Sequence, residues 1–448
     1  MHKKALFKGV FIQNLGYHGN GTSEKKMEGD AFSNKETQKL LQDLHSMMIK
    51  ELVAMETKEV NVCNFKQPEK LMADLDLEIG DEPVNNDTVL KLCKSVIDHS
   101  IKTGGSFANM LAMHIARYKA EPSVKKVGLR AGKQFVLLTS AEAHYSIAKG
   151  ANFLGFGTDN AIRVDTDDRG RMVPDDLDKK LQQAKDKGEV PLFVMGTTGT
   201  TVLGACDDLN AIADICQRHG VWFHVDAAWG GGVILSEKYK HLMDGVHRAD
   251  SVAWNIHKMS TGLIQSSILL VKEKGLLEQA NQFRAEYLFQ PDKHYDTAFD
   301  IGDKTVQCGR KVDVLKLWTM WKARGDVGMA EQIDKAFENA QYLTDRLRST
   351  EGFRLVIPEF QCTNISFWYI PPRLRGQPET TEWWEQISKV APQIKKRMME
   401  NGSMMIGYNP LTPKGFVNFF RVIITNPMST HADMDFILEE MERLGKDL

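Results

Sequence analysis

Apolar positions change their period along the chain, and each change predicts a different kind of element. Residues 1–33 are rich in Gly, Asn and Lys and show no sustained period, which predicts a flexible lead-in. Ser33-Asn34-Lys35-Glu36 then reads as a capping box. Behind it Leu40, Leu41, Leu44, Met47, Met48, Leu52 and Met55 recur at helical spacing. A second helix is expected from Asp87 to Lys102, with Val89, Leu92, Cys93, Val96 and Ile97 on one face. No strand accompanies these two helices, so segment 34–103 should dock elsewhere, for instance on a partner subunit.

From residue 104 short apolar runs alternate with helical periods. Strands are expected at Phe135–Thr139, Ala161–Val164, Leu192–Met195, Val221–Val225, Val252–Trp254 and Ser267–Val271, with helices over 106–118, 143–152, 175–187 and 208–218. That alternation predicts an α/β domain over 104–325 built on a mostly parallel sheet. Helical periods dominate from 310 to 350. Strands near 365–370, 403–407 and 417–425, with helices over 380–401 and 431–445, then predict a smaller α+β domain over 326–448.

Composition narrows the classes. The chain has 448 residues, 42% of them hydrophobic and 26% charged, as an ordinary globular protein does. Its formal net charge is −2, without the basic footprint of a nucleic-acid binder. No apolar run reaches the roughly 18 residues of a membrane span. The six cysteines form no CxxC pair, so they read as reduced thiols of a cytoplasmic protein, and no metal site is expected. Lys8 and Gln13 interrupt the apolar stretch near the start, against a secretory signal. The absence of Arg there argues against a mitochondrial transit segment.

Chemistry concentrates where parallel strands end, the usual ligand side of such sheets. Val221–Val225 runs into Asp226, Ala227, Ala228 and Trp229. Val252–Trp254 runs into Asn255, Ile256, His257 and Lys258. Thr139 leads to His144, and Met195 leads to the hydroxyl-rich loop Gly196–Thr201. A buried acid needs a cationic partner, and a lysine near the interior is costly unless used. With the Gly104-Gly105-Ser106 helix start, the set matches what pyridoxal phosphate requires. It needs a lysine for its aldehyde, an acid for its ring nitrogen, a helix N-terminus for its phosphate and a flat side chain for its ring.

His224-Val225-Asp226-Ala227-Ala228-Trp229-Gly230 and Asp250–Lys258 resemble the group II pyridoxal-phosphate decarboxylases. Thr200–Ala205, Val306–Arg310, Gly402–Tyr408 and Asn418–Arg421 extend the resemblance from about residue 36 to Leu448 and favour the branch acting on cysteine sulfinate, aspartate or glutamate. The resemblance implies a fold type I enzyme, a homodimer in which Lys258 is the Schiff-base lysine. It pairs Asp226 with the pyridine nitrogen and packs Ala228 and His144 on opposite ring faces. Thr201 would meet the ring hydroxyl, and Ser106, Asn255 and His257 the phosphate end. Tyr295 would return a proton to the substrate carbon after carbon dioxide leaves, and Arg421 would bind the substrate α-carboxylate. The products would be hypotaurine, β-alanine or GABA.

The sequence departs from that pattern. Thr103 abuts Gly104 where relatives carry a long segment shaping the side-chain pocket and part of the dimer interface. Ala108 stands where a phosphate-contacting serine is usual, Ile256 where a proline precedes the His-Lys pair, and Thr198 where a serine is usual. Two expectations follow: an acidic amino-acid decarboxylase, or a truncated, non-catalytic homologue acting at most as a dimer partner. The missing segment predicts weak or no turnover for this chain.

Overall fold

This computed structural model describes residues 104–262, 266–290, 292–294, 297, 300–307 and 313–448, together with positions 39, 42, 43 and 46. Lys39, Gln42, Asp43 and Ser46 are helical, inside the first expected helix. The lead-in, the rest of that helix and the helix expected over 87–102 lie outside the described residues.

The larger sheet has the strand order β2-β1-β3-β4-β5-β6. Its strands are β1 Phe135–Ser140, β2 Ala161–Val164, β3 Val190–Thr197, β4 Trp222–Ala227, β5 Ser251–Asn255 and β6 Ser267–Val271. The first five run parallel, and β6 pairs antiparallel with β5. Helices α1 Gly105–Ala120 and α2 Ser146–Phe153 cover one face; α3 Pro174–Asp186 and α4 Leu209–His219 cover the other.

Side-chain alternation builds these layers. Val136 and Leu138 of β1 pack towards Leu177, Leu181 and Ile212, whereas Phe135 and Leu137 pack towards Ala112, Met113 and Ile147. Both faces are covered, so β1 and β4 are buried along their whole length rather than at alternate positions. Caps fix the helix ends: the Asp208 side chain accepts from the Asn210 and Ala211 amides, and Gly220 closes α4 at φ 68°. Having passed from β1 to β2, the chain crosses back over β1 to β3. The C-terminal ends of β1 and β3 therefore flank a switch-point crevice.

The smaller sheet is antiparallel, in the order β7-β8-β10-β9. It comprises β7 Phe353–Leu355, β8 Asn364–Tyr369, β9 Gly407–Leu411 and β10 Phe416–Ile423. Helices α5 Asp313–Ser349, α6 Thr381–Asn401 and α7 His431–Gly445 supply its core, through Leu343, Ile394 and Met441 among others. Gly325 interrupts α5 with non-helical φ 65° and ψ 177°. The expected strand over 403–407 is corrected to Gly407–Leu411. Gly402 ends α6 in a left-handed conformation at φ 62°, and Met405 is exposed, so pairing starts only at Gly407. Strand β7 has three residues, too few to show a period.

Candidate active site

Strand β4 delivers the acid. It is hydrogen-bonded to β3 and β5, and Asp226 at its end is 4% exposed. The Ala228 amide donates to Oδ1 at 2.9 Å, and the Asn109 side-chain amide donates to Oδ2 at 2.9 Å. A buried carboxylate is thus satisfied on both oxygens, as burial demands.

One strand over, β5 delivers the lysine. Its chain turns through Ile256–Lys258, closed by Lys258 N–H to Asn255 O at 3.1 Å and Gly262 N–H to Ile256 O at 3.0 Å. The Lys258 ammonium lies 4.7 Å from the centre of the Trp229 ring. Burial lowers its pKa, Asp226 pulls the other way, and Arg421 adds to the lowering. A lowered amine pKa raises the neutral, nucleophilic fraction.

His144 follows β1, and its Nδ1 accepts from the Ser146 amide at 3.2 Å. Burial lowers its pKa, opposed by Asp226 and assisted by Lys258 and Lys149, which favours the neutral ring. From the smaller sheet, Arg421 of β10 reaches across and donates to the Thr201 carbonyl. Its Nε is buried without a partner, and burial lowers its pKa. Among the described residues no carboxylate offsets that lowering. The Thr201 backbone thereby meets Arg421, while the neighbouring Thr200 hydroxyl is used internally, accepting from Ala205 N–H at 2.9 Å.

Helix α1 starts at the other end. Gly104 supplies no side-chain cap, and the first turn holds no acid, so the leading amides are left for an anion. A Cβ on Gly105 would sit 2.4 Å from the Asn255 side chain, so only glycine lets α1 approach that closely. Ser106, Asn255 and His257 stand at this helix start. Ser106, His144, Thr201, Asp226, Ala228, Asn255, His257 and Lys258 line one cavity of about 530 Å³, Arg421 not among its walls; the cavity also takes in Asn109, Tyr145, Lys149, Thr197 and Trp229. A cleft of about 570 Å³ elsewhere, edged by Arg169, Asp207, Tyr239 and Gln361, has no lysine on its walls. It lacks the acid–lysine pair.

The residues fit pyridoxal phosphate. The uncapped helix start suits the phosphate, and Asp226 stands beside the lysine. The buried Thr197 hydroxyl and Trp229 indole N–H have no protein partner. Such orphaned groups are rare unless something else satisfies them. Tyr295 lies outside the described residues. Asn109 and Lys149 were missed from sequence, whereas Thr197, Tyr145 and Trp229 were noted at the strand ends without a role. Asn109 had a signal, because it is the one amide in the apolar run Ala108–Met113. All three substituted positions are buried: Ala108 and Ile256 are each 1% exposed and fill core space, and Thr198 is fully buried.

The model of the pyridoxal-dependent decarboxylase conserved domain matches residues 87–370. The chain belongs to that family. Human cysteine sulfinic acid decarboxylase is 44% identical over 478 aligned positions, covering 91% of this chain and 96% of its own. Mouse acidic amino acid decarboxylase GADL1 is 42% identical, covering 90% and 85%. The crystal structure of mouse CSAD superposes with a TM-score of 0.75 at 41% identity, over 93% of this chain and 100% of that one. As a pyridoxal-dependent decarboxylase, the chain has pyridoxal phosphate as its cofactor and carboxy-lyase chemistry on acidic amino acids as its class. Since 91% of 448 residues is about 408, about 70 of the 478 positions aligned to the human protein have no counterpart here. Among the described residues no helix is long and apolar enough to cross a membrane.

Proposed function

We propose that the site decarboxylates cysteine sulfinate, aspartate or glutamate at the α-carbon, giving hypotaurine, β-alanine or GABA and carbon dioxide. The observation that carries this reading is the convergence of Asp226, Lys258 and His144 on one cavity, with the buried Arg421 near enough to Lys258 to lower its pKa. When bound, the cofactor supplies an electron-withdrawing ring that accepts the electron pair released as the carboxylate leaves. Lys258 would hold it through its aldehyde carbon, and Asp226 would face its ring nitrogen. Ala228 and His144 would enclose the ring, and Thr201 would meet its hydroxyl. Ser106, Asn255 and His257 would take the phosphate with the α1 amides. Arg421 would bind the α-carboxylate and set the breaking bond across the ring plane. Tyr295 would hand a proton to the substrate Cα.

The break at Gly325 supports reading 104–325 as the cofactor-binding body and 326–448 as the small domain, after the lead-in 1–33 and the helical segment 34–103. We place the protein in the cytoplasm as a homodimer. The roughly 70 absent positions favour a second reading, with the gap between Thr103 and Gly104 and turnover weak or absent. Release of labelled carbon dioxide from the three amino acids, run beside human cysteine sulfinic acid decarboxylase, tests both. Release from none of the three, with bound cofactor, supports the truncated homologue. Turnover equal to the human enzyme's overturns it.

A further inference from the structure

Behind Asp226 lies a chain of buried polar groups that the reaction itself does not use. The Trp222 indole N–H donates to Ser251 Oγ at 2.9 Å. Ser251 Oγ lies 2.8 Å from His224 Nδ1, and His224 Nε2 lies 3.0 Å from Asn109 Oδ1. The Asn109 amide then donates to Asp226 at 2.9 Å and to Ser146 Oγ at 3.0 Å. His224 is fully buried and stacks on Phe193 at 5.3 Å between ring centres; Asn109 is 2% and Ser251 1% exposed.

Chemistry fixes the direction of every link. A carboxylate only accepts, so Asn109 must turn its NH₂ to Asp226 and its oxygen to His224. That oxygen also only accepts, so His224 Nε2 must carry the proton. The imidazole is neutral, since burial pushes its pKa down to about 4, so Nδ1 is left with a lone pair. Ser251 has one hydroxyl proton and already accepts from Trp222, so it gives that proton to Nδ1. Reversing any link would set two acceptors or two donors against each other inside the core, where no water relieves the conflict.

We infer that Trp222, Ser251, His224 and Asn109 form a one-way positioning relay that locks His224 as its Nε2–H tautomer and aims the Asp226 carboxylate at the cofactor's ring nitrogen. This rests on the proposed role of Asp226. The relay draws on three elements, β4, β5 and α1, so it also ties the acid to the helix that starts at the phosphate cradle. Besides His224 on its own strand, the titratable groups around Asp226 are His144 beyond β1 and Lys258 beyond β5.

Two measurements test it. The first is the nitrogen NMR spectrum of the full chain labelled at histidine, with the His224 signal identified as the one that Ser251→Ala moves. It should show a neutral Nε2–H ring that does not titrate between pH 7 and pH 5, and a changed signature in Ser251→Ala. A Nδ1–H or cationic ring at pH 7, or no histidine signal moved by Ser251→Ala, overturns the relay. The second is the dissociation constant for pyridoxal phosphate, read from absorbance. Asn109→Leu should weaken binding about tenfold, the worth of one hydrogen bond to a charged group, and Ser251→Ala about threefold. Binding within twofold of the unaltered chain in both, with folding verified by circular dichroism, also overturns it. Asp226→Asn separates the two ideas. If that variant binds the cofactor as the unaltered chain does, the Asp226 role itself fails, whatever tautomer His224 shows.

Discussion

Arg421 and Lys258 are cations set apart by where they are buried. Burial lowers the pKa of both, and the guanidinium keeps a buried donor unpaired. Replacing Arg421 with Gln removes the charge but keeps a donor, and should lower kcat/KM by about thirtyfold or more through KM, the order expected for losing one partner of a desolvated ion pair. Steady-state kinetics across the acidic amino acids would check it. Lys258→Ala should abolish the long-wavelength absorbance that a lysine-bound cofactor adds; a band that survives the substitution refutes the assignment.

Two other buried groups set opposite pH dependences. His224 falls from 6.5 to about 4, so the unfolded chain binds more protons between those values. Its contribution, about 3 kcal/mol in full, is present above pH 6.5 and lost as pH falls through 4. Asp207 is raised by burial from 3.8 to about 7, although the Met172 and Thr197 amides donate to it. Its contribution is present below pH 3.8 and lost as pH rises through 7. The two offset each other. Asp207→Asn should therefore expose a stability that climbs steadily from pH 4 to 6.5, measured by urea unfolding at several pH values.

At the scale of elements, the strand ends and one helix start do the assembling. The parallel strands β1, β3 and β4 were legible because both sheet faces are covered, which turns buried strands into largely apolar runs. The acid was legible for the same reason, as a charged residue directly after the apolar run Val221–Val225, and the lysine stood four positions beyond Trp254. Strand β9 was misplaced because the residues after Gly402 are apolar yet unpaired, and apolar pattern alone cannot say where hydrogen bonding begins. Asn109 was passed over because its partners are 115 and 117 residues away. Helix α1 approaches β5 closely at Gly105, where a Cβ would sit 2.4 Å from the Asn255 side chain. Gly105→Ala should force α1 off Asn255, destabilise the fold by about 1–3 kcal/mol and weaken cofactor binding. Thermal melts with and without pyridoxal phosphate would show a shrunken ligand-induced shift.

For the whole molecule, the decisive fact is a shortage. About 70 positions of the human relative have no counterpart, yet the described site residues converge. Cofactor binding and turnover should therefore separate: the chain binds pyridoxal phosphate but turns over poorly. Grafting the relative's segment between Thr103 and Gly104 should raise kcat/KM about 10²-fold, the scale associated with restoring substrate alignment. A graft that folds and leaves kcat/KM unchanged would place the defect elsewhere.

By itself the sequence determined the α/β class, the strands that carry chemistry and the lysine, acid and imidazole that follow them, because burial and strand geometry leave a periodic local trace; Arg421, inside β10, was singled out by the family resemblance alone. Only the tertiary structure decided that Arg421 crosses from the smaller sheet to Thr201, that Gly105 must lack a side chain, and that Asn109 and His224 stand behind Asp226. Those relations join residues far apart in the chain, and packing and hydrogen-bond direction between layers leave no period to read.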